Sequence, residues 1–220
     1  MGRDGDVWGC MGMYGARWDV MGMYGAEWGW VGMGVLKEIL IKDKDMMEIE
    51  ELKKIIRDVP DFPSKGILFR DLTTMIKDGE ALHVTGKALA DLYRDKGVTK
   101  IVGIESRGFI GGSIMAYELG CGFVPARKPG KLPAVTIKKA YAKEYGVDTI
   151  EMHNDAITED DVVVLHDDLL ATGGTMRACY DLVKTMNPKK IYINFIVELT
   201  DLNGRENLPE DCEVLSLLKY

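Results

Sequence analysis

The sequence predicts an α/β domain built on an open, mainly parallel sheet flanked by helices. Three observations predict it. Short apolar runs rich in β-branched residues recur as KIVGI at 100–104, GFVPA at 122–126, DVVVL at 161–165 and KIYINFIV at 190–197. Strands that are apolar on successive residues are covered on both faces, as parallel strands are. Helical segments from about Gly108 to Leu119 and from about Gly173 to Met186 alternate with these runs, the order expected of strand-helix-strand units. The 220 residues, 46% hydrophobic and 29% charged, suffice for one sizeable core of ordinary globular composition.

Residues 1–46 stand apart from this pattern. They hold a tandem repeat of period ten, seen in Gly2, Gly12 and Gly22, in Gly5, Gly15 and Gly25, and in Trp8, Trp18 and Trp28, with MGMYGA occurring twice. The period is too short for a solenoid unit, and glycine at this density weakens helix and strand alike through its conformational entropy. We expect this extension to be disordered. One reading is an aromatic interaction arm, since all four tryptophans lie at or before Trp30. The favoured reading is a translated short repeat ahead of a native start at Met46 or Met47.

From Met47 the chain has the composition of an ordinary enzyme, so 47–220 is the expected domain. EIEELKKIIRD at 48–58 places Ile49, Leu52, Ile55 and Ile56 on one helical face, ended by Val59-Pro60. DFPSKGILFRD reads as a loop, and the next helix runs from about Gly79 to Lys96 with Leu82, Leu89 and Leu92 inward. After it come the strands and helices named above. Ligands of such open sheets sit beyond the carboxyl ends of the strands. Function is therefore sought just after Ile104, Ala126 and Leu165.

Charge and cysteine content exclude several classes. With 28 Lys plus Arg against 35 Asp plus Glu, the net charge is -7 and the pI near 5.1, which gives no support to binding of nucleic acid or an anionic membrane. Cys10, Cys121, Cys179 and Cys212 form no C-x-x-C pair and no metal-ligand spacing, so neither a zinc site nor a disulfide framework is indicated. No apolar run reaches the roughly eighteen residues of a membrane span, and Asp4 and Asp6 stand where a secretion signal would be basic. The expected location is the cytoplasm.

The chemistry lies in His166-Asp167-Asp168-Leu169-Leu170-Ala171-Thr172-Gly173-Gly174-Thr175. Paired glycines permit a tight turn that aims several N–H groups into one concavity, and Thr172 and Thr175 add hydroxyls at a helix N-terminus; such a nest suits a phosphate dianion. The adjacent carboxylates would repel that phosphate, so their partners are hydroxyl groups or a divalent cation. A ribose 5'-phosphate supplies both sets. An ordinary strand-to-helix turn capped by Asp would explain a lone GG or DD, but not the combination.

VVVLHDDLLATGGT resembles the phosphoribosyl diphosphate signature of the type I phosphoribosyltransferases, and DDLLATGGT is similar to the wording of the adenine-using members. DFPSKGILFRDLT at 61–73, GIESRGFIGG at 103–112, RKPGKLP at 127–133, YAKEYG at 141–146 and VELTDLNGRE at 197–206 resemble the same members. The resemblance covers essentially all of 47–220 and leaves the repeat unmatched. It implies the fold of that family with a small hood, and transfer of phosphoribosyl from 5-phosphoribosyl 1-diphosphate to N9 of adenine, giving AMP and diphosphate with Mg2+, in a homodimer.

Residue by residue, the resemblance puts Ala171, Thr172, Gly173, Gly174 and Thr175 at the 5'-phosphate and Asp167 and Asp168 at the ribose hydroxyls. Arg107 falls in the diphosphate loop, with a cis bond implied at Glu105-Ser106, where Glu105 replaces the aspartate of some relatives. Arg127, Lys128 and Lys131 become a counter-charge for the leaving diphosphate rather than a solvated run. Leu68, Phe69 and Arg70 match the adenine loop, although Phe69 alone would read as a core aromatic. Glu144 and Tyr145 match the hood, with Glu144 the candidate for managing adenine's proton as a catalytic residue beside Arg107. Mg2+ is expected to be held through diphosphate and ribose. His166 stands where the family usually has an apolar residue; the simple reading is a ring satisfied by a backbone partner, and His83 and His153 read as surface residues. Three rivals are a related transferase acting on hypoxanthine, guanine or xanthine, a non-catalytic sensor using the same pocket, and a P-loop nucleotidase. LFRD and KEYG argue against the first, the lack of an added DNA-binding domain against the second, and the absence of G-x-x-x-x-G-K-[ST] against the third.

Overall fold

The computed structural model describes residues 47–143 and 146–220. The reading of 1–46 lies outside the described residues. A 3-10 turn at Ile49–Glu51 leads into a single helical turn, α1 (Leu52–Ile55), and the chain then turns into β1 (Arg57–Pro60), which pairs antiparallel with β2 (Leu68–Asp71). This corrects two expectations: the 48–58 helix stops at Ile55, and the end of the 61–71 loop is a strand. The register explains it. Arg57 faces Asp71 and Asp58 faces Arg70, and opposite charges directly across a ladder favour pairing.

α2 (Thr73–Ile76) precedes α3 (Gly79–Asp91), whose first turn is capped by the Asp78 carboxylate accepting from Ala81 N at 2.9 Å. A cap of this kind contributes about 1 kcal/mol. The buried face of α3 is Ala81, Val84, Thr85, Leu89 and Ala90, and Leu82 and Leu92 are only partly covered. The inward stripe is thus rotated from the one expected, and the helix ends earlier.

β3 (Lys100–Ile104), α4 (Gly108–Leu119), β4 (Gly122–Ala126), β7 (Val162–Leu170), α5 (Gly174–Lys184) and β8 (Lys190–Glu198) form the expected α/β unit, and β9 (Glu213–Lys219) adds a strand that the sequence pattern does not predict. Its sheet has five strands in the order β4-β3-β7-β8-β9, parallel throughout. Val163 and Leu165 of β7 join Met176, Cys179 and Val183 of α5 in one buried cluster, and Ile101, Val164 and Ile193 are also fully buried. Each such side chain contributes about 1.5–3 kcal/mol when buried. Between β4 and β7 the chain makes a hairpin, β5 (Thr136–Lys143) with β6 (Gly146–His153), along the stretch matched to the hood.

Chain order reverses between β3 and β7, where the loops at their carboxyl ends diverge. This is the topological switch point at which ligands of open parallel sheets bind. β7 continues beyond the expected Leu165 to Leu170, paired to β8 through Asp167↔Phe195 and Leu170↔Glu198. The two aspartates therefore stand on the end of a central strand rather than in a free turn.

Candidate active site

Two helices begin at this end of the sheet. α4 starts at Gly108, directly after Arg107, and α5 at Gly174, directly after the stretch Ala171–Gly173. Both direct their N-terminal partial positive charge and free N–H groups to the same region, which suits two anionic groups. Gly108 must lack a side chain: a Cβ there would meet His166 O at 2.8 Å and Asp167 Oδ1 at 3.0 Å. The start of α4 therefore seats directly on the end of β7.

The turn before α5 is locked from outside. Gly173 is left-handed (φ 82°), and a Cβ on it would lie 2.4 Å from Gly204 O. Reciprocally, a Cβ on Gly204 would lie 2.1 Å from Ala171 O. Asn207 Nδ2 donates to Thr172 O at 2.7 Å. Of the paired glycines, Gly173 is the one whose backbone needs glycine, while Gly174 is the first helical residue. Sequence reasoning misses Gly204 and Asn207; the signal that could find them is the NGRE tetrad at 203–206, within a stretch that carries the resemblance.

Asp168 is buried and its Oδ2 lies 2.8 Å from Arg107 Nε, off the line of a hydrogen bond and without another partner. Asp168 N donates to Asp167 Oδ1 at 2.9 Å. Burial raises both carboxyls above the usual range; the neighbouring Asp168 charge adds to the rise at Asp167, and Arg107 opposes it at Asp168. Asp168 Oδ2 has no hydrogen-bond partner within the protein, which leaves the pair an acceptor for donors that a ligand brings.

Glu105–Ser106 is cis, as the resemblance implied. The Glu105 carboxylate accepts from Arg127 Nε and Nη2, each at 3.1 Å, and from Lys128 N at 3.0 Å. The Arg127 guanidinium holds the Glu105 carboxyl below the usual carboxylate range. Arg127 is thus committed to the protein, whereas the Lys128 and Lys131 side chains are exposed.

A cavity of about 230 Å³ is bordered by Glu105, Arg127, Lys128, Tyr141, Asp167 and Thr175 among others, and a smaller one of about 90 Å³ by Asp167 and residues 169–176. Asp167 and Thr175 line both. Thr175 Oγ1 donates to Tyr141 Oη at 3.3 Å, which brings the hairpin to the mouth. Leu68 is exposed, and Phe69 packs edge-on to Phe62 with centroids 5.1 Å apart and lies 5.7 Å from the Arg107 guanidinium. The loop matched to adenine is therefore beside Arg107. Arg70 pairs with Asp58 and lies over the Tyr220 ring at 4.2 Å. Glu144 and Tyr145 lie outside the described residues.

His166 is fully buried, with Nδ1 2.8 Å from Asn194 Oδ1, and Asn194 meets the ring through its backbone as well as its side chain. Burial pushes its pKa down to about 4, so the ring is neutral near pH 7. His83 is exposed and His153 partly so. Among the described residues no cluster of three or more His, Cys, Asp or Glu could cage a metal. Mg2+ bound mainly by substrate oxygens needs only one or two carboxylates, and the otherwise unpartnered Asp168 Oδ2 beside Asp167 fits that demand.

A parallel sheet of this order, with a glycine turn at a helix N-terminus and a carboxylate pair at its switch point, is the arrangement of a phosphoribosyl-transferring domain. The family described as Phosphoribosyl transferase domain matches residues 73–214. The adenine phosphoribosyltransferase of Bacteroides fragilis is 58% identical over 169 residues, 77% of this chain and 95% of its own. The crystal structure of adenine phosphoribosyltransferase from Thermoanaerobacter pseudethanolicus superposes with a TM-score of 0.74 at 46% identity, covering 79% of this chain and 100% of that one. The Giardia lamblia enzyme complexed with 9-deazaadenine gives 0.75 at 42% identity, covering 79% and 98%. The chain belongs to the adenine phosphoribosyltransferases.

Proposed function

We propose that residues 47–220 form the transferase domain and that the chain moves the phosphoribosyl group of 5-phosphoribosyl 1-diphosphate to N9 of adenine, releasing AMP and diphosphate. The observation carrying this reading is that Asp167 and Thr175 border both cavities. A sugar between them has its 5'-phosphate in the smaller cavity, against Ala171–Thr175, and its C1 substituent in the larger. Asp167 and Asp168 accept from the ribose hydroxyls. Arg107, the α4 N-terminus, Lys128 and Lys131 draw negative charge toward the leaving diphosphate. Mg2+ would be held through the diphosphate and ribose, with Asp167 and Asp168 orienting the ribose oxygens, and would supply further neutralisation of that charge.

Bond breaking at an anomeric carbon develops oxocarbenium character, so water must be kept out while charge separates. Phe69, with Leu68 and the backbone of Arg70, forms the wall for the flat base, and Tyr145 closes the hood. Glu144 holds the adenine proton near N7 while N9 attacks. The outer stripe of α4 exposes Ile110 and Tyr117 beside Ser113 on a largely apolar helix, which supports a homodimer with this face covered. Among the described residues no helix is long and apolar enough to cross a membrane, and Cys121, Cys179 and Cys212 are free thiols, which suits a reducing cytoplasm.

The test is an assay with 5-phosphoribosyl 1-diphosphate, offered adenine, hypoxanthine, guanine or xanthine, with and without Mg2+. AMP from adenine alone, dependent on Mg2+, is expected, and Glu144→Gln should lower kcat far more than it raises KM for the diphosphate substrate. Preference for another base, or no product, overturns the reading, and unchanged turnover of the variant removes the role of Glu144.

A further inference from the structure

Glu151 is a covered carboxylate, 1% exposed, on a strand of the hairpin and outside the groups that would touch substrate. Its surroundings are fully built. Glu151 Oε1 accepts from Gly130 N at 2.8 Å and from Lys131 N at 3.3 Å. Oε2 accepts from Thr136 Oγ1 at 3.3 Å and lies 3.3 Å from Lys138 Nζ. Its backbone forms a reciprocal bridge with Arg127, at 2.9 Å from Arg127 N to Glu151 O and 2.8 Å back. Burial pushes the carboxyl up, but Lys138 and the two backbone donors outweigh it and leave the group below the usual carboxylate range. Charge is thus kept on a carboxylate that a surface turn covers, and its two backbone donors belong to that one short turn. That turn, 127–131, has no regular secondary structure beyond Arg127. Gly130 within it is left-handed at φ 77°, and Lys128 and Lys131 present exposed ammonium groups from it.

A loop of this kind needs something to fix its N–H groups, since unpaired ones would leave it free to sample many shapes. Glu105 secures one end through Arg127 and Lys128 N, and Glu151 secures the other. We propose that Glu151 is a positioning residue: it holds the turn 127–131 in the shape that presents Lys128 and Lys131 to the diphosphate of the substrate, and it makes the hairpin and that turn move as one piece. This rests on the transferase reading given above. Its consequence is selective, because the turn borders the cavity assigned to diphosphate, whereas Phe69 and the adenine loop lie on β2.

Steady-state kinetics of the wild type, Glu151→Ala and Glu151→Gln test it, with KM measured separately for each substrate. Glu151→Ala should raise KM for 5-phosphoribosyl 1-diphosphate about tenfold or more, the scale of losing hydrogen bonds to a charged group, with KM for adenine changed less than about twofold. Glu151→Gln keeps an acceptor for Gly130 N and Lys131 N and should recover most of the loss. Gly130→Ala disturbs the same turn from its exposed side and should give the same selective rise, so the comparison survives if Glu151→Ala does not fold. Equal rises in both KM values, no rise in either, or a glutamine variant no better than alanine overturns the positioning role. A wild type that makes no AMP overturns instead the transferase reading, before any variant is compared.

Discussion

Gly173→Ala is expected to leave the sheet folded and to destroy binding of the sugar phosphate, lowering kcat/KM for 5-phosphoribosyl 1-diphosphate by about a hundredfold or more. A left-handed alanine costs about 1 kcal/mol, which alone would be mild. The larger effect comes from the Cβ, which would sit 2.4 Å from Gly204 O and must push the 171–174 turn away from the 204–207 segment. A phosphate nest works only while its N–H groups converge, and a displacement near 1 Å costs about a hundredfold in rate. Gly204→Ala attacks the same contact from the opposite side, with its Cβ 2.1 Å from Ala171 O. The two changes should therefore be strongly non-additive, the double variant being little worse than either single one. The check is KM for each substrate together with the melting temperature.

Asp167→Asn should separate stability from activity. Burial, followed by the charge of Asp168, raises the Asp167 carboxyl well above its ordinary value. A folded-state pKa above the unfolded one means that the ionised carboxylate opposes folding. That penalty is absent below the unfolded value of about 3.9, grows as pH rises past it, and is complete above the raised folded value. At neutral pH the asparagine variant should melt later than the wild type, while kcat/KM falls by about a hundredfold because a charged acceptor for the ribose hydroxyls is lost. Asp168→Asn should lose activity to a similar degree and also release Arg107, whose Nε stands 2.8 Å from Asp168 Oδ2. Unchanged kcat/KM in both variants would remove the ribose role from the pair. Function here is expected to be held at the expense of stability, as at many active sites.

The turn proposed to hold the phosphate is legible in the sequence because it is contiguous: ten neighbouring residues carry the turn, the donors and the carboxylates. Its setting is not. Aspartate is a poor strand residue, so the strand was expected to stop at Leu165, yet pairing with β8 carries it to Leu170. The β1–β2 pair was read as helix and loop because the evidence for it, Arg57 opposite Asp71 and Asp58 opposite Arg70, spans the intervening loop. β9 is not legible in the sequence because it is an edge strand whose residues are mostly half-buried, so its apolar signal is diluted. Glu151 reads in sequence as one more charge in a polar stretch, and it becomes an interior anchor only when the turn 127–131 folds over it. His166 shows the same limit, since its partner Asn194 lies on a neighbouring strand.

The central claim is that the segment from Asp167 to Thr175 holds a ribose phosphate with its C1 carbon toward the larger cavity. A crystal of the protein soaked with AMP tests this most directly. The phosphate should lie on the N–H groups of Ala171–Thr175, with both ribose hydroxyls at about 2.5–3.2 Å from Asp167 and Asp168 and the base toward Phe69. AMP bound elsewhere, or with its base in the glycine turn, would contradict the account.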